Sequence, residues 1–316
     1  MLRRLRDCFC RLLVRLVSLC NLSRSSPRLY ALLDSFVRRG CGKILIVLVH
    51  FLVGFVFAVE YGIVLPYEAL FRPKWYIYGL GVLGVYLVVN ILFNYTHAYS
   101  TPPGSPPKST AQPQCSRCLS HKPRGVHHCS ICNNCVVRMD HHCIWINQCV
   151  GANNHRFFLQ FLFFLFSGCC LIVATNFTTF ANNFLWAADN TVWCRVIDDL
   201  PWKEFLCRDG GETVTNFIFF SYSVAFLVMI MVGALFLWNC LLISIGATYI
   251  DYLQRGCPPY GLCCQDLPPR REVLLNWRVF LGLRRNRSVF LHVLLPSSHR
   301  TEHYEQSSLL RDVDVV

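Results

Sequence analysis

Apolar residues along the chain are concentrated in four blocks that are separated by polar stretches, at 44–65, 75–94, 157–180 and 217–246. Each block is close to the roughly 20 residues that a helix needs to cross about 30 Å of hydrocarbon. The 316 residues are 54% hydrophobic and 15% charged, which is unlike a soluble protein of this length. The pattern therefore predicts an all-α polytopic membrane protein with four transmembrane helices.

Basic residues are distributed unevenly among the segments that flank these blocks. Segments 1–43, 97–156 and 247–316 together hold 25 of the 30 Lys and Arg residues. Because Lys and Arg near the ends of membrane spans are retained on the cytoplasmic side, these segments and both termini are predicted to face the cytosol. The net charge of +12 lies mainly beside the membrane, where anionic lipids are nearer than nucleic acid. We therefore expect the lipid bilayer as a partner, and no nucleic acid.

The spans and their connections divide the chain into five parts. The N-terminal part, 1–43, is basic, and within it residues 2–20 have apolar side chains at helical spacing. This spacing indicates an amphipathic helix in the membrane interface, or a solvated basic helix packed on the protein's own cytosolic domain. Transmembrane helices 1 and 2 lie in 44–96, and a cytosolic cysteine-rich domain fills 97–156. Helices 3 and 4 and a lumenal loop follow in 157–246, and a cytosolic tail occupies 247–316. No internal repeat is expected.

Seven of the 19 cysteines lie in a single block, 115–149. Paired Cys-x2-Cys steps let two thiolates reach one tetrahedral ion, and a reducing cytosolic setting favours metal over disulfides. Zinc is the expected ion, and two structural sites of four ligands can be built from Cys115, Cys118, His128, Cys129, Cys132, Cys135, His142 and Cys149. Spacing alone does not show which ligands share an ion. One cysteine of the block, Cys143, is left unassigned.

Cys143 follows an aspartate and a histidine whose chemistry suits nucleophilic catalysis. An activated cysteine needs a base that takes its proton and an acceptor that orients the base. His141 is predicted to be the base, Asp140 to orient it, and the Cys143 thiolate to be the nucleophile. Two alternatives are a zinc-stabilised membrane adaptor without catalysis and a transporter with an aqueous path between the spans.

At these residues the sequence resembles the DHHC protein S-acyltransferases, a family named for the run found here as Asp140-His141-His142-Cys143. The match covers the cysteine-rich block and the two spans on each side of it. Further details, at 101–104, 276–282 and 294–299, extend the resemblance over nearly the full chain. The resemblance implies ping-pong chemistry, in which Cys143 takes the acyl group from palmitoyl-CoA and passes it to membrane-proximal cysteines of target proteins.

The resemblance also implies roles for other residues. The two zinc ions would be bound by interleaved sets, one of Cys115, Cys118, His128 and Cys135 and the other of Cys129, Cys132, His142 and Cys149. The acyl tail would lie between the four spans, with Trp145 at the cavity mouth or serving as an interfacial anchor. Lys122, Arg124 and His127 are candidate partners of the CoA phosphates, or a solvated or lipid-facing basic patch. The endoplasmic reticulum is the implied compartment, with the Golgi as the alternative.

The sequence departs from the family pattern at two places. Ile144 follows the catalytic cysteine where the family usually has proline. The family's Thr-Thr-x-Glu element after the last span is represented only by the hydroxyl of Thr248 and the carboxylate of Asp251, for which we expect a bracing role between the catalytic domain and the helices.

Other polar residues and cysteines have predicted structural roles. Polar residues inside the spans are expected to form interhelical hydrogen bonds: His50, Glu60, Asn90, Asn176 and Asn239. Cys194 and Cys207 are a possible disulfide pair of the lumenal loop.

Overall fold

The computed structural model describes residues 42–106, 113–184, 203–254, 268–283 and 287–299. Four of its helices are long and apolar enough to cross a membrane: Gly42–Glu68, Lys74–Ser100, His155–Ala181 and Glu212–Ser244. We call them the first to fourth long helices. The chain is therefore a multi-pass integral membrane protein, as the apolar pattern predicts. The amphipathic helix predicted near the N-terminus lies outside the described residues.

The helices continue beyond the apolar blocks that predict them. The second long helix extends past the predicted end at 94 to Ser100, because Tyr95 and Ala98 are fully buried against the rest of the bundle. It ends where Pro102 and Pro103 follow, since proline disfavours helix at the residue before it. The fourth helix begins at Glu212, before the predicted start at 217. Hydropathy therefore locates each span but underestimates the helical length that packing sustains.

The first long helix is interrupted by one π-helical segment. Gly42–Val59 is α-helical, Glu60–Val64 is π-helical, and Leu65–Glu68 is again α-helical. A π-turn changes the face that the following residues present, and such turns are frequent at functional sites. Glu60 lies at the start of this turn.

The third long helix forms the centre of the bundle and packs against the second and the fourth. Its aromatic residues Phe158, Phe161 and Phe164 form a buried core with Tyr95 of the second helix. Ile146 of the cysteine-rich block belongs to the same core. The block is thus packed directly onto one end of the bundle.

Two antiparallel hairpins form the framework of the cysteine-rich block. The first pairs β1 (Val126–Cys129) with β2 (Asn134–Val137), and the second pairs β3 (His141–Cys143) with β4 (Gln148–Val150). In each hairpin a histidine lies directly opposite a cysteine, with His128 opposite Cys135 and His142 opposite Cys149. Directly opposed residues share one face of a hairpin, so each pair can contribute two ligands to one site.

The block contains an internal repeat of 14 residues, so the expectation of none is wrong. Each ligand of the first set recurs 14 positions later in the second set: Cys115, Cys118, His128 and Cys135 become Cys129, Cys132, His142 and Cys149. The turn residues Leu119, Asn133 and Asn147 have the same spacing and φ values of 57°, 55° and 53°. The copies are difficult to see in the sequence because they interleave and share little besides ligands and turns.

The C-terminal part packs along the bundle. It contains the helices Tyr249–Gln254 and Arg270–Phe280 and a π-helical turn, Phe290–Leu294. On the far side of the bundle Cys207 is disulfide-bonded. The predicted partner, at position 194, lies outside the described residues.

Candidate active site

The hairpin β3–β4 separates the adjacent residues 141–143 into two groups. Successive side chains of a strand point to opposite faces, so His141 and Cys143 share one face while His142 lies on the other. His142 faces Cys149. Adjacent residues of one strand thus contribute a histidine to a cysteine and histidine cluster on one face and the Cys143 thiol to the other face.

His141 connects the thiol to a buried carboxylate. Its Nδ1 lies 2.8 Å from Oδ2 of Asp140, which leaves Nε2 for the Cys143 thiol within hydrogen-bonding reach. Burial alone lowers the pKa of His141, but the hydrogen bonds to Asp140 and Cys143 outweigh it and raise the pKa to about 9. Burial likewise favours a raised pKa for Asp140, but the hydrogen bond from His141 holds that pKa below its usual value. Asp140 therefore stabilises the protonated form of His141, beside the Cys143 sulfur.

Asp140 is also connected to the segment that follows the fourth helix. The backbone N–H of Tyr249 donates to its Oδ1 at 2.7 Å. That N–H belongs to the first turn of a helix capped reciprocally by Thr248 and Asp251, since Asp251 N–H donates to the Thr248 hydroxyl and Thr248 N–H to the Asp251 carboxylate. The expected bracing role of this element is confirmed.

The structure brings the cysteines and histidines together in two clusters of three cysteines and one histidine each. The clusters are Cys115, Cys118, His128 and Cys135, and Cys129, Cys132, His142 and Cys149, and the ligand atoms within each lie within 4.8 Å of one another. Within the clusters, the distances from one cysteine Sγ to another, and from a cysteine Sγ to the histidine Nδ1, are 3.4 to 3.9 Å. Tetrahedral zinc with Zn–S near 2.3 Å places its ligand atoms about 3.5 to 3.8 Å apart. The clusters are therefore consistent with two zinc sites.

An apolar cavity of about 440 Å³ lies between the long helices and reaches the active-site hairpin. Cys143 and Trp145 line it at the hairpin, and Tyr95 of the second helix lines it beside them. The Tyr95 hydroxyl donates to the carbonyl oxygen of Trp145 at 2.7 Å, which fixes the turn that presents the thiol. The other candidate CoA contacts do not line this cavity: Arg124 is exposed, and Lys122 and His127 are partly buried.

Several residues that position the site were not recognised as such from the sequence. The Gln148 side chain donates to the carbonyls of Ala98 and Thr101, at 2.7 and 2.9 Å, and so fastens the hairpin to the end of the second helix. The buried Arg156 donates to the carbonyls of Ser297 and His299, at 2.9 and 2.8 Å, and holds the C-terminal segment. A polar residue at the boundary of an apolar block is the signal that could have found Arg156, whereas Gln148 lies inside the cysteine-rich block and has no such signal.

Comparison with known proteins identifies the family. A family model described as DHHC palmitoyltransferase matches residues 108–256. Palmitoyltransferase ZDHHC16 of Bos taurus is 33% identical over 296 residues, which cover 86% of this chain and 76% of that protein. The protein of the same name from Mus musculus is 34% identical over 283 residues, which cover 85% and 74%, and that from Homo sapiens is 33% identical over 296 residues, which cover 85% and 75%.

The chain belongs to the DHHC palmitoyltransferase family. It is a protein palmitoyltransferase, as the motif and its setting predict, and its family uses palmitoyl-CoA. The resemblance extends far beyond the cysteine-rich block, to the member ZDHHC16, which is also called Abl-philin 2. The two alternative classes, a membrane adaptor without catalysis and a transporter, are therefore not the class of this protein.

Proposed function

We propose that Cys143 carries the acyl group in this palmitoyltransferase. The single observation that supports this assignment is its placement: among the seven cysteines of 115–149, all of them described, it lies outside both metal-site clusters and lines the apolar cavity. Its neighbour His141, oriented by Asp140, completes a nucleophile, base and acceptor.

The reaction proceeds in two transfers. His141 takes the proton of the Cys143 thiol, and the thiolate attacks the carbonyl carbon of palmitoyl-CoA. The bond from that carbon to the CoA sulfur breaks, and CoA leaves as a thiol with the proton held by His141. A thiol of the target protein then gives its proton to His141, its sulfur attacks the carbonyl carbon of the acyl-enzyme, and the bond to Cys143 breaks. Cys143 takes up the proton held by His141 and is a thiol again. Asp140 stabilises the His141 imidazolium during both transfers.

The two clusters are proposed to bind zinc as structural ions. Each supplies four protein ligands, which leaves no position for a water molecule on a tetrahedral ion. Bound zinc would fix His142 and Cys149 on one face of the hairpin and thereby hold the opposite face, with His141 and Cys143, in register. Each zinc ion would stabilise the fold by linking four side chains from different parts of the cysteine-rich block.

The acyl tail is proposed to fill the cavity between the helices, with Trp145 at its mouth. Burying each methylene contributes about 0.8 kcal/mol. Lys122, Arg124 and His127 are proposed to meet the CoA phosphates. The distribution of basic residues supports a cytosolic active site and cytosolic termini, so the targets would be proteins with cysteines near the cytosolic membrane surface. The proposed compartment is the endoplasmic reticulum, with the Golgi as the alternative.

Substitution of two cysteines tests the assignment. Cys169 also lines the cavity and is a free thiol, so it provides a matched control for Cys143. Purified Cys143→Ser protein should show no hydroxylamine-sensitive labelling by palmitoyl-CoA, whereas Cys169→Ser should be labelled like the unmodified protein. Undiminished labelling of Cys143→Ser would leave the chain without the proposed nucleophile.

A further inference from the structure

Tyr95 of the second long helix is completely buried beside the thiol. It belongs to the same buried core as Cys143, and both residues line the apolar cavity at the active-site hairpin. A negative charge on the Cys143 sulfur acts electrostatically on the Tyr95 hydroxyl. That hydroxyl donates to the carbonyl oxygen of Trp145 at 2.7 Å. The cavity thus has a hydroxyl hydrogen at the end where the acyl transfer takes place.

Three neighbouring rings hold the Tyr95 ring in place. These are the rings of His50, Tyr99 and Phe161, whose centroids lie 5.2, 5.3 and 4.8 Å from that of Tyr95. His50 is itself fixed, because its Nδ1 lies 2.8 Å from the carbonyl oxygen of Ile46. The phenol oxygen therefore keeps its position, whereas its hydrogen can rotate about the C–O bond to suit an acceptor.

Most other hydrogen-bonding side chains of the cavity wall lie at its opposite end. Glu60 and Asn176 form there the interhelical hydrogen bond expected of polar residues inside the spans, at 2.9 and 2.8 Å from the amide to the two carboxylate oxygens. Asn176 is 18 residues of helix, about 27 Å, from Phe158, whose ring contacts the ring of His141. Four more residues lie at the same end of their helices: Tyr61, Glu68, Tyr76 and Thr175.

Among the described residues that line the cavity, two side chains near the thiol remain as donors, the Trp145 indole and the Tyr95 hydroxyl. Trp145 is 49% exposed, so water competes for its N–H. Tyr95 is 0% exposed, and a donor in a site without water stabilises a developing charge far more than one in water. Tyr95 is therefore the buried donor at the thiol end of the cavity.

Acyl transfer places a negative charge on an oxygen in this apolar region. The Cys143 sulfur forms a bond to the carbonyl carbon of palmitoyl-CoA, and an electron pair of the C=O double bond moves onto the oxygen. The pair returns when the bond to the CoA sulfur breaks, and that sulfur takes the proton held by His141. An oxyanion in apolar surroundings is costly unless a hydrogen-bond donor faces it.

We propose that the Tyr95 hydroxyl is a catalytic donor that stabilises this oxyanion. The inference rests on the proposed function, because it takes Cys143 as the nucleophile and the cavity as the site of the acyl tail. As the charge develops, the hydroxyl hydrogen turns from the neutral Trp145 carbonyl to the oxyanion, since an ionised acceptor forms the stronger hydrogen bond. The same donor serves the second transfer, which passes through an oxyanion of the same kind.

The test compares two reactions of the same sulfur. Acylation by palmitoyl-CoA passes through an oxyanion, whereas alkylation by iodoacetamide displaces iodide directly and forms none. Tyr95→Phe removes only the hydroxyl. We expect its single-turnover acylation rate to fall about 10²-fold, the usual effect of losing one oxyanion donor, and its alkylation rate to stay unchanged. Both rates are read by mass spectrometry on the peptide that contains Cys143.

Two results would overturn the proposal. A fall of both rates by the same factor would show that the hydroxyl only positions the thiol, and two unchanged rates would show that it has no part in the transfer. The matched control is Tyr99→Phe, which removes the hydroxyl of a partly buried neighbour that does not line the cavity, and which should keep both rates.

A second variant covers the case in which Tyr95→Phe does not fold. Methionine is flexible and fills irregular apolar space, so Tyr95→Met must then show the same selective loss of acylation, or the proposal is wrong. An error in the assigned nucleophile gives a different result, because acylation would then be absent from Cys143 in the unmodified protein as well.

Discussion

The cysteine-rich block has three turns of the same form, which contain Leu119, Asn133 and Asn147. Ile146 occupies the position in the third turn that Cys132 occupies in the second. Each is followed by an asparagine in the left-handed region, Asn147 and Asn133 respectively. Cys132 lies 3.4 Å from Nδ1 of a cluster histidine, whereas Ile146 is 1% exposed and packs into the core of the long helices. The turn that contains Cys132 therefore contributes to a metal-site cluster, whereas the equivalent turn that contains Ile146 anchors the block in the helix bundle. Cys143, which opens the third turn, has no second cysteine to share an ion.

The zinc content should fall when a cysteine of either cluster is replaced, and should not change when Cys143 is replaced. We expect about two zinc ions per chain in the unmodified protein and in Cys143→Ser, and about one in Cys132→Ser, because a thiolate is lost from one tetrahedral site. Elemental analysis of purified, monodisperse protein measures this. Cys170→Ser, which removes a free cysteine in the third long helix, is the control. A loss of zinc in Cys143→Ser would show that this sulfur is a ligand.

Asp140→Asn should slow acylation of Cys143 without loss of zinc. An amide at this position no longer stabilises the His141 imidazolium and does not enforce the tautomer that turns Nε2 to the thiol. General-base contributions of this kind are on the order of 10² to 10⁴-fold. Single-turnover labelling with palmitoyl-CoA measures the rate. The control is Asp209→Asn, which removes a carboxylate that accepts a hydrogen bond from the Thr213 N–H on the far side of the bundle, and which should leave the acylation rate unchanged. Equal acylation rates in Asp140→Asn and Asp209→Asn would contradict the role of Asp140.

Loss of the Thr248 cap should weaken the site indirectly. In Thr248→Val the helix Tyr249–Gln254 loses its reciprocal cap, which is worth about 1 kcal/mol, so the N–H of Tyr249 is held less firmly against Asp140. We expect a fall in acylation rate of about fivefold, since this free energy corresponds to that factor. Thr248→Ser keeps the hydroxyl and should restore the rate. A serine variant as slow as the valine variant would indicate that the methyl group, and not the cap, matters.

The sequence was sufficient to predict the four spans, the cysteine-rich block between the second and third, and the family. These features depend on local properties, which are the hydrophobic length of each span and the spacing of cysteines and histidines. The structure then groups the ligands in the interleaved sets that the family resemblance implies. The 14-residue repeat would have supported the same grouping from the sequence alone.

Other features of the site depend on contacts between distant parts of the chain. The hydrogen bond from Tyr249 to Asp140 spans 109 residues, and that from Arg156 to His299 spans 143. Hydropathy and motif spacing carry no information about such pairs, because their formation depends on how the helices are rotated and packed. For the same reason the sequence did not reveal that Glu60 and Asn176 share a cavity with Cys143.

The most direct measurement is the location and number of acyl groups on the enzyme itself. Purified protein is incubated briefly with palmitoyl-CoA, digested and examined by mass spectrometry with and without hydroxylamine. The predicted result is one hydroxylamine-labile palmitoyl group on the peptide that contains Cys143, which disappears when a target thiol is added. Acylation confined to other cysteines, with the Cys143 thiol unmodified throughout, would contradict the assignment.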